Sequence, residues 1–257
     1  MSAGHRENPK VIVGSGWWSS GQRSEWNIGD DLIRSTQFFS LWHRQVMKYI
    51  CPDMIVVTDS HSPKKPDRGK FERLQWIELD RNYGHANDIR TGVINSKYCG
   101  FTRSLIMGAS FALCCEADYF VYVEQDCLIR GERFLEAAIG DQAFDFYMGQ
   151  RTSGGTGLAG SPAAPMLQNS LLIMNGRGIE RLISKLLTAR ETDGEMSLEE
   201  KMARDMTPFG TLNVPYGRSR PMDSSLSHYY AQHMSRQELE AFILSEGLDL
   251  EEWFPRG

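Results

Sequence analysis

Two rhythms of hydrophobic and polar residues divide this chain. Short apolar runs, rich in β-branched and aromatic side chains, occur at residues 10–16, 54–58, 74–79, 119–123, 144–148 and 167–174. Runs of this length predict strands. Elsewhere apolar residues recur at helical spacing. Residues 32–50 carry Leu32, Ile33, Phe38, Phe39, Trp42, Val46 and Ile50 on that period, and Pro52 marks the end of the helix. Residues 101–116 read as a helix buried over much of its surface, 131–139 as a short helix and 179–187 as an amphipathic one. Ser197 with Glu200, and Ser235 with Glu238, are capping-box signatures that start two more helices. Up to residue 123 the order is strand, helix, strand, strand, helix, strand. That order predicts an α/β fold with a single, mostly parallel central sheet flanked by helices. No repeat or clean linker interrupts it, so residues 1–257 are expected to form one domain.

The most informative run is Tyr119-Phe-Val-Tyr-Val123, which predicts a strand buried on both faces. Two carboxylates, Glu124 and Asp126, follow at once. In a parallel sheet, ligands bind beyond the carboxyl ends of the strands. Residues two apart on an extended chain point the same way. Both acids can therefore face one ion or one metal-bound phosphate, with Gln125 turned away.

Other polar segments also sit at strand ends. Gly14-Ser-Gly16 is expected to form a glycine-containing loop after the first strand. It lacks the G-x-G-x-x-G spacing of a dinucleotide site, yet its glycines would let backbone approach a nucleotide. Of Trp17 and Trp18, both able to stack on a base, at least one is expected to pack in the core. Asp59 sits at the tip of the second strand. Residues 61–70 form a basic loop with two prolines, which reads as solvated or as a contact for phosphate or an anionic acceptor. Residues 152–165 form a small-residue loop that suits a lid or an acceptor contact.

The totals narrow the classes. With 257 residues and a net charge of −5, the chain is long enough for a sizeable core and lacks a generally basic, nucleic-acid-binding character. No apolar segment approaches the roughly 20 residues of a membrane span. Residues 1–10 lack the apolar core of a leader peptide. The five cysteines have no zinc-ligand spacing, and an odd count without a leader points to reduced thiols and a cytoplasmic location.

Glu124-Gln125-Asp126 after an apolar strand resembles the D-x-D-like motif of the nucleotide-diphosphosugar transferases, the glycosyltransferase A (GT-A) fold, family 2-like members included. Residues 82–87, with Gly92 after them, resemble the asparagine–glycine segment upstream of that motif in many inverting members. The resemblance covers roughly residues 10–174. It implies a nucleotide-sugar-binding half, residues 10–130, and an acceptor-side half, residues 131–257. It implies donor contacts from Gly14, Asp59, Asn82, Gly84, Asn87, Arg90 and Glu124, with Arg81, Arg218 and Arg220 as lesser diphosphate or acceptor candidates and His85 as a further donor contact. It also implies Mn²⁺ or Mg²⁺ on Glu124, Asp126 and a late histidine, for which His228 is preferred to His233. An inverting enzyme needs a base at the start of an acceptor-side helix, where Glu199 ranks before Glu200 and Asp205, since Glu200 already caps its helix. Retaining transfer stays open.

The implied activity is metal-dependent transfer of a sugar from a nucleotide diphosphate sugar, a UDP-sugar on family frequency, to a hydroxyl acceptor. A polysaccharide or other glycan, a lipid-linked sugar, a small metabolite and a nucleic-acid base all stay open as acceptors. A nucleotidyltransferase and a noncatalytic carbohydrate-binding protein with the same shell are the alternatives. The first would carry a glycine-rich signature with Arg and Lys after the first strand, which Gly14-Ser-Gly-Trp-Trp18 lacks.

Overall fold

The computed structural model describes residues 8–20, 29–150, 167–218 and 222–254. The loop at residues 152–165 and Arg220 lie outside the described residues. The chain opens with β1 (Val11–Trp17), α1 (Thr36–Tyr49), β2 (Met54–Asp59) and β3 (Leu74–Glu78). It continues with α2 (Ala86–Arg90), α3 (Gly100–Cys114), β4 (Tyr119–Val123), β5 (Cys127–Arg130), α4 (Phe134–Ile139) and β6 (Phe146–Gln150). Then come β7 (Leu167–Asn175), α5 (Gly176–Thr188), α6 (Leu198–Asp205), β8 (Gly210–Thr211) and β9 (Tyr216–Gly217). Last are β10 (Tyr229–Gln232), α7 (Arg236–Ser245) and α8 (Leu250–Trp253).

Seven strands form one sheet in the order β3-β2-β1-β4-β7-β6-β8. Its pairings are parallel except those of β7 with β4 and β6. Side chains alternate across the sheet, which separates two cores. Val13, Trp17, Val57, Val121 and Val123 pack on one face with Phe38, Phe39 and Trp42 of α1 and Phe242 of α7. Ile12, Val56, Phe120 and Tyr122 pack on the other with Leu105 and Ala109 of α3, Leu182 of α5 and Met202 of α6. Both capping boxes are present, at Ser197 with Glu200 and at Ser235 with Glu238. Among the described residues, no helix is long and apolar enough to cross a membrane.

Two features depart from the sequence reading. Gly14 and Gly16 lie inside β1, not in a loop beyond it. A Cβ on Gly14 would stand 2.4 Å from Phe120 Cζ, and one on Gly16 2.9 Å from Ser104 Oγ. These glycines admit the aromatic layer and α3 against the strand, and Gly14 is buried. The second departure is a small sheet, β5-β10-β9, that no long apolar run announces. Its β5 runs antiparallel to β10, with Cys127 opposite Gln232 and Arg130 opposite Tyr229.

A carboxylate cluster at the end of the central strand

The small sheet decides what faces Glu124 and Asp126. After Val123 the chain turns tightly, with Cys127 N–H donating to the Glu124 carbonyl at 2.9 Å, and enters β5. The β5–β10 register then delivers the last residue of β10 to the two acids. Gln232 Nε2 donates to Glu124 Oε2 at 2.5 Å and to Asp126 Oδ1 at 2.7 Å. Both acids thus converge on one amide. Gln125, at the turn, points away from the acids, and its side-chain amide pairs with the backbone N–H and carbonyl of Trp18 at 2.6 and 2.9 Å. Trp18 is thereby fixed at the strand ends with its side chain partly exposed. Trp17 is buried, lies edge-on to Phe39 and donates from Nε1 to the Lys64 carbonyl at 2.9 Å.

Asp126 is buried, and two basic groups meet its second oxygen: Arg34 Nη2 at 3.1 Å and His233 Nε2 at 3.4 Å. Arg218 Nε donates to Gln232 Oε1 at 2.7 Å. Burial, and then the Asp126 charge, push the Glu124 carboxyl well above the usual carboxylate range. Arg218 and the Gln232 bond pull it back, while Glu199 pushes it further up.

Strand β7 links Glu199 to the pair: the Glu124 N–H donates to the Ser170 carbonyl at 2.9 Å, and the residue before it, Asn169, bonds Glu199. Glu199 stands in the first turn of α6, and its Oε1 accepts from Asn169 Nδ2 of β7 at 2.9 Å. Glu200 points elsewhere. It accepts from the Ser197 N–H and hydroxyl, both at 2.8 Å, and these bonds hold its carboxyl below the ordinary range. Asp205 ends α6 in a two-pronged pair with Arg204 at 2.8 Å, which lowers its pKa in the same sense. A carboxylate so stabilised is a poor base.

His228 does not reach the acids. Its Nε2 lies 2.8 Å from the Glu132 carbonyl and its Nδ1 3.0 Å from Ser227 Oγ. It precedes β10, at the Arg130 end of the ladder, whereas the acids stand at the Gln232 end, roughly 10 Å along a strand of this length. The histidine at the acids is His233. Among the described residues, no set of three or more His, Cys, Asp or Glu is gathered in metal-holding geometry.

The expected donor segment is held mainly by its own bonds. Asp59 is fully buried; its Oδ1 accepts from the Ser62 N–H at 2.9 Å and its Oδ2 lies 3.5 Å from Lys65 Nζ. Lys65 also reaches Glu78 at 2.5 Å, so its charge ties the basic loop to the ends of β2 and β3. Asn82 Oδ1 accepts the Gly84 N–H at 2.8 Å, and the Gly84 carbonyl accepts Gly100 N–H at 3.0 Å. His85 caps α2, accepting the Asn87 N–H on Nδ1 at 3.2 Å. Arg90 Nε donates to the Gly194 carbonyl at 3.2 Å, tying α2 to the loop before α6. Arg81 lies over the Tyr83 ring, 4.8 Å from its centroid.

Among solved structures, the chain is similar to the bifunctional IspDF from Campylobacter jejuni, at 10% identity and a TM-score of 0.51. The match covers 90% of this chain and 53% of that one, so the chain spans about half the length of that protein. The fold is GT-A-like. Two further similar structures are S. aureus TarS 1-349 in complex with UDP (16% identity, TM-score 0.46, 95% of this chain and 67% of that one) and a glycosyltransferase involved in the glycosylation of the major capsid of PBCV-1 (8% identity, TM-score 0.45, 93% and 100%). No family model and no curated protein matches the chain. In this GT-A-like frame the carboxylate cluster stands at the carboxyl end of β4, where open α/β sheets bind ligands.

Proposed function

We propose that the chain is a glycosyltransferase that moves a sugar from a nucleotide-diphosphosugar to a hydroxyl acceptor, assisted by a divalent cation. The observation that carries this reading is the convergence of Glu124 and Asp126 on one amide beyond a strand end, with Glu199 bonded to the neighbouring strand. Glu124 and Asp126 share the Gln232 amide, the Glu124 N–H donates to the Ser170 carbonyl, and Glu199 accepts from the adjacent Asn169.

The donor chemistry fits Mg²⁺ or Mn²⁺. Two carboxylates pressed together against their charge favour a hard cation, and an imidazole beside them suits Mn²⁺. Donors that share one octahedral ion stand about 3 Å apart. His233 Nε2 is 3.4 Å from Asp126 Oδ2. Such ions commonly take one or two carboxylates and complete their shell with water and substrate phosphates, so the small number of protein donors suits a donor-bound ion. Glu124, Asp126 and His233 would hold it. When bound, the ion would neutralise charge developing on the departing diphosphate.

The protein side of the reaction then assigns Glu199. The acceptor oxygen bonds to the anomeric carbon as the bond from that carbon to the phosphate oxygen breaks. The hydroxyl proton passes to the Glu199 carboxylate, and the nucleoside diphosphate leaves with the electron pair. Asn169 positions Glu199 through its Oε1. Attack opposite the leaving group inverts the anomeric centre. Packing of Gly14 and Gly16 against Phe120, Ser104 and Tyr122 speaks against a nucleotidyltransferase phosphate cradle built on those glycines.

The test is nucleotide release from UDP-hexoses and UDP-N-acetylhexosamines with Mn²⁺, followed by chromatography. Slow UDP release that stops with a chelator and with Asp126→Asn supports the proposal. Silence with UDP-, GDP-, CDP- and dTDP-sugars alike overturns it.

A further inference from the structure

We propose that Gln232 and Arg218 form an orienting relay that prepares Glu124 and Asp126 for a cation and links that preparation to the diphosphate. The inference rests on the cation-site reading above and adds two residues to it.

Gln232 is fully buried at the end of β10. A glutamine amide has two N–H donors on one end and an acceptor on the other. Among the described residues, its nitrogen meets the two acids and its oxygen meets Arg218. Carboxyl oxygens of both acids accept here, with Nε2 spending one bond on each. A guanidinium only donates, and Arg218 Nε meets Oε1. Reversing the amide would set its oxygen against the Asp126 carboxylate and its nitrogen against the guanidinium, so Arg218 and Asp126 fix the orientation. The consequence falls on the acids. One oxygen of each is anchored to a single nitrogen, which fixes their spacing; of the second oxygens, Asp126 Oδ2 also meets Arg34 and His233.

Arg218 is itself held at its base. Its N–H donates to Gln168 Oε1 of β7 at 3.0 Å. Gly217 makes this approach possible: it has φ of +54°, and a Cβ there would fall 1.5 Å from Gln168 Oε1. The Arg218 side chain is exposed, and its charge acts on Glu124. An arginine fork whose Nε is engaged inward still presents its terminal nitrogens, and that geometry matches phosphate oxygens. The chemistry it would read is a diphosphate beside the carboxylate pair.

Mn²⁺ affinity, read by the loss of the free-ion electron paramagnetic resonance signal, tests the relay without turnover. It is measured with and without inorganic pyrophosphate in wild type, Gln232→Leu, Gln232→Glu and Arg218→Gln. Near-ultraviolet circular dichroism checks the fold of each. Wild type is expected to bind Mn²⁺ more tightly with pyrophosphate. Gln232→Leu is expected to weaken Mn²⁺ by about tenfold to a hundredfold, the usual cost of losing a group that orients a metal ligand. Gln232→Glu, which sets a third carboxylate against the pair, is expected to lose the pyrophosphate enhancement. Exposed Arg218→Gln, the variant safest to fold, is expected to keep most affinity for Mn²⁺ alone and to lose the enhancement. Folded Gln232→Leu with wild-type affinity, or Arg218→Gln with a wild-type enhancement, would overturn the relay and leave the cation site standing. Wild type that binds no Mn²⁺ in either condition would overturn the cation site and the relay together.

Discussion

Lys201 and Asp193 form an ion pair of 2.7 Å in which both side chains are fully buried. The pair sets the position of α6. Lys201 stands two residues after Glu199, while Asp193 Oδ2 accepts the Cys99 N–H at 2.7 Å and the Asp193 N–H donates to the Lys97 carbonyl at 2.9 Å. The helix that carries Glu199 is thus tied to the start of α3. Replacing Lys201 by methionine keeps the volume and leaves the Asp193 charge with the Cys99 N–H as its remaining hydrogen bond. Breaking one side of a buried pair costs about 3–5 kcal/mol. For a chain of this size each kcal/mol shifts Tm by about 2–4 °C, so the expected fall is roughly 10 °C. The double variant Asp193→Leu, Lys201→Met removes both charges and orphans the Cys99 N–H, a cost of about 1–3 kcal/mol that apolar packing largely offsets. It should lie within about 2 kcal/mol of wild type. Urea unfolding followed by circular dichroism measures both. A loss under about 1 kcal/mol in the single variant, or a double variant as unstable as the single, would refute the reasoning.

Three further outcomes follow from particular residues. Glu199→Gln should lower kcat by about a hundredfold to ten-thousandfold while the donor KM stays within a few-fold, the pattern of a lost general base; equal loss with Glu200→Gln would move the base assignment. Trp18, with its backbone clamped by Gln125 and its side chain 36% exposed, should act as a stacking surface, and Trp18→Ala should weaken UDP binding by about 1–3 kcal/mol in calorimetry. Alkylation at pH 8 should mark exposed Cys51 and Cys114 and spare Cys99, whose thiol burial and Asp193 push up to about 11; peptide mass spectrometry reads the difference, and rapid labelling of Cys99 in folded protein would contradict its placement.

The large sheet was legible because its strands are long enough to carry their own apolar signature. Tyr119–Val123 is the clearest case; Glu124 and Asp126 do converge after it, through a tight turn and the Gln232 amide rather than through the expected pleat. The short strands were not legible. Segments of two to four residues owe their form to partners distant in sequence, and β5, β8, β9 and β10 hold little periodicity of their own. The histidine assignment suffered for that reason. A polar run before His228 drew attention, but the informative pattern was the one already seen at β4, an apolar run followed directly by polar groups. Tyr229-Tyr-Ala231 ends in Gln232 and His233, and strand ends are where this fold collects its chemistry. Arg34 gave no comparable sign, since its approach to Asp126 depends on how the segment before α1 crosses the sheet. Gly14 misled for a different reason. Glycine in a strand marks close packing as readily as a ligand site, and the Phe120 ring that requires it lies more than a hundred residues away in sequence.

The most direct test of the central claim is calorimetric titration with UDP, with and without Mn²⁺, on the native protein and on the Glu124→Ala, Asp126→Ala double variant. The account predicts metal-dependent binding to the native protein that vanishes in the variant. Binding of equal strength in both proteins would contradict the assignment of the carboxylate cluster, and absence of binding to the native protein, with GDP, CDP and dTDP equally silent, would contradict the nucleotide-sugar reading itself.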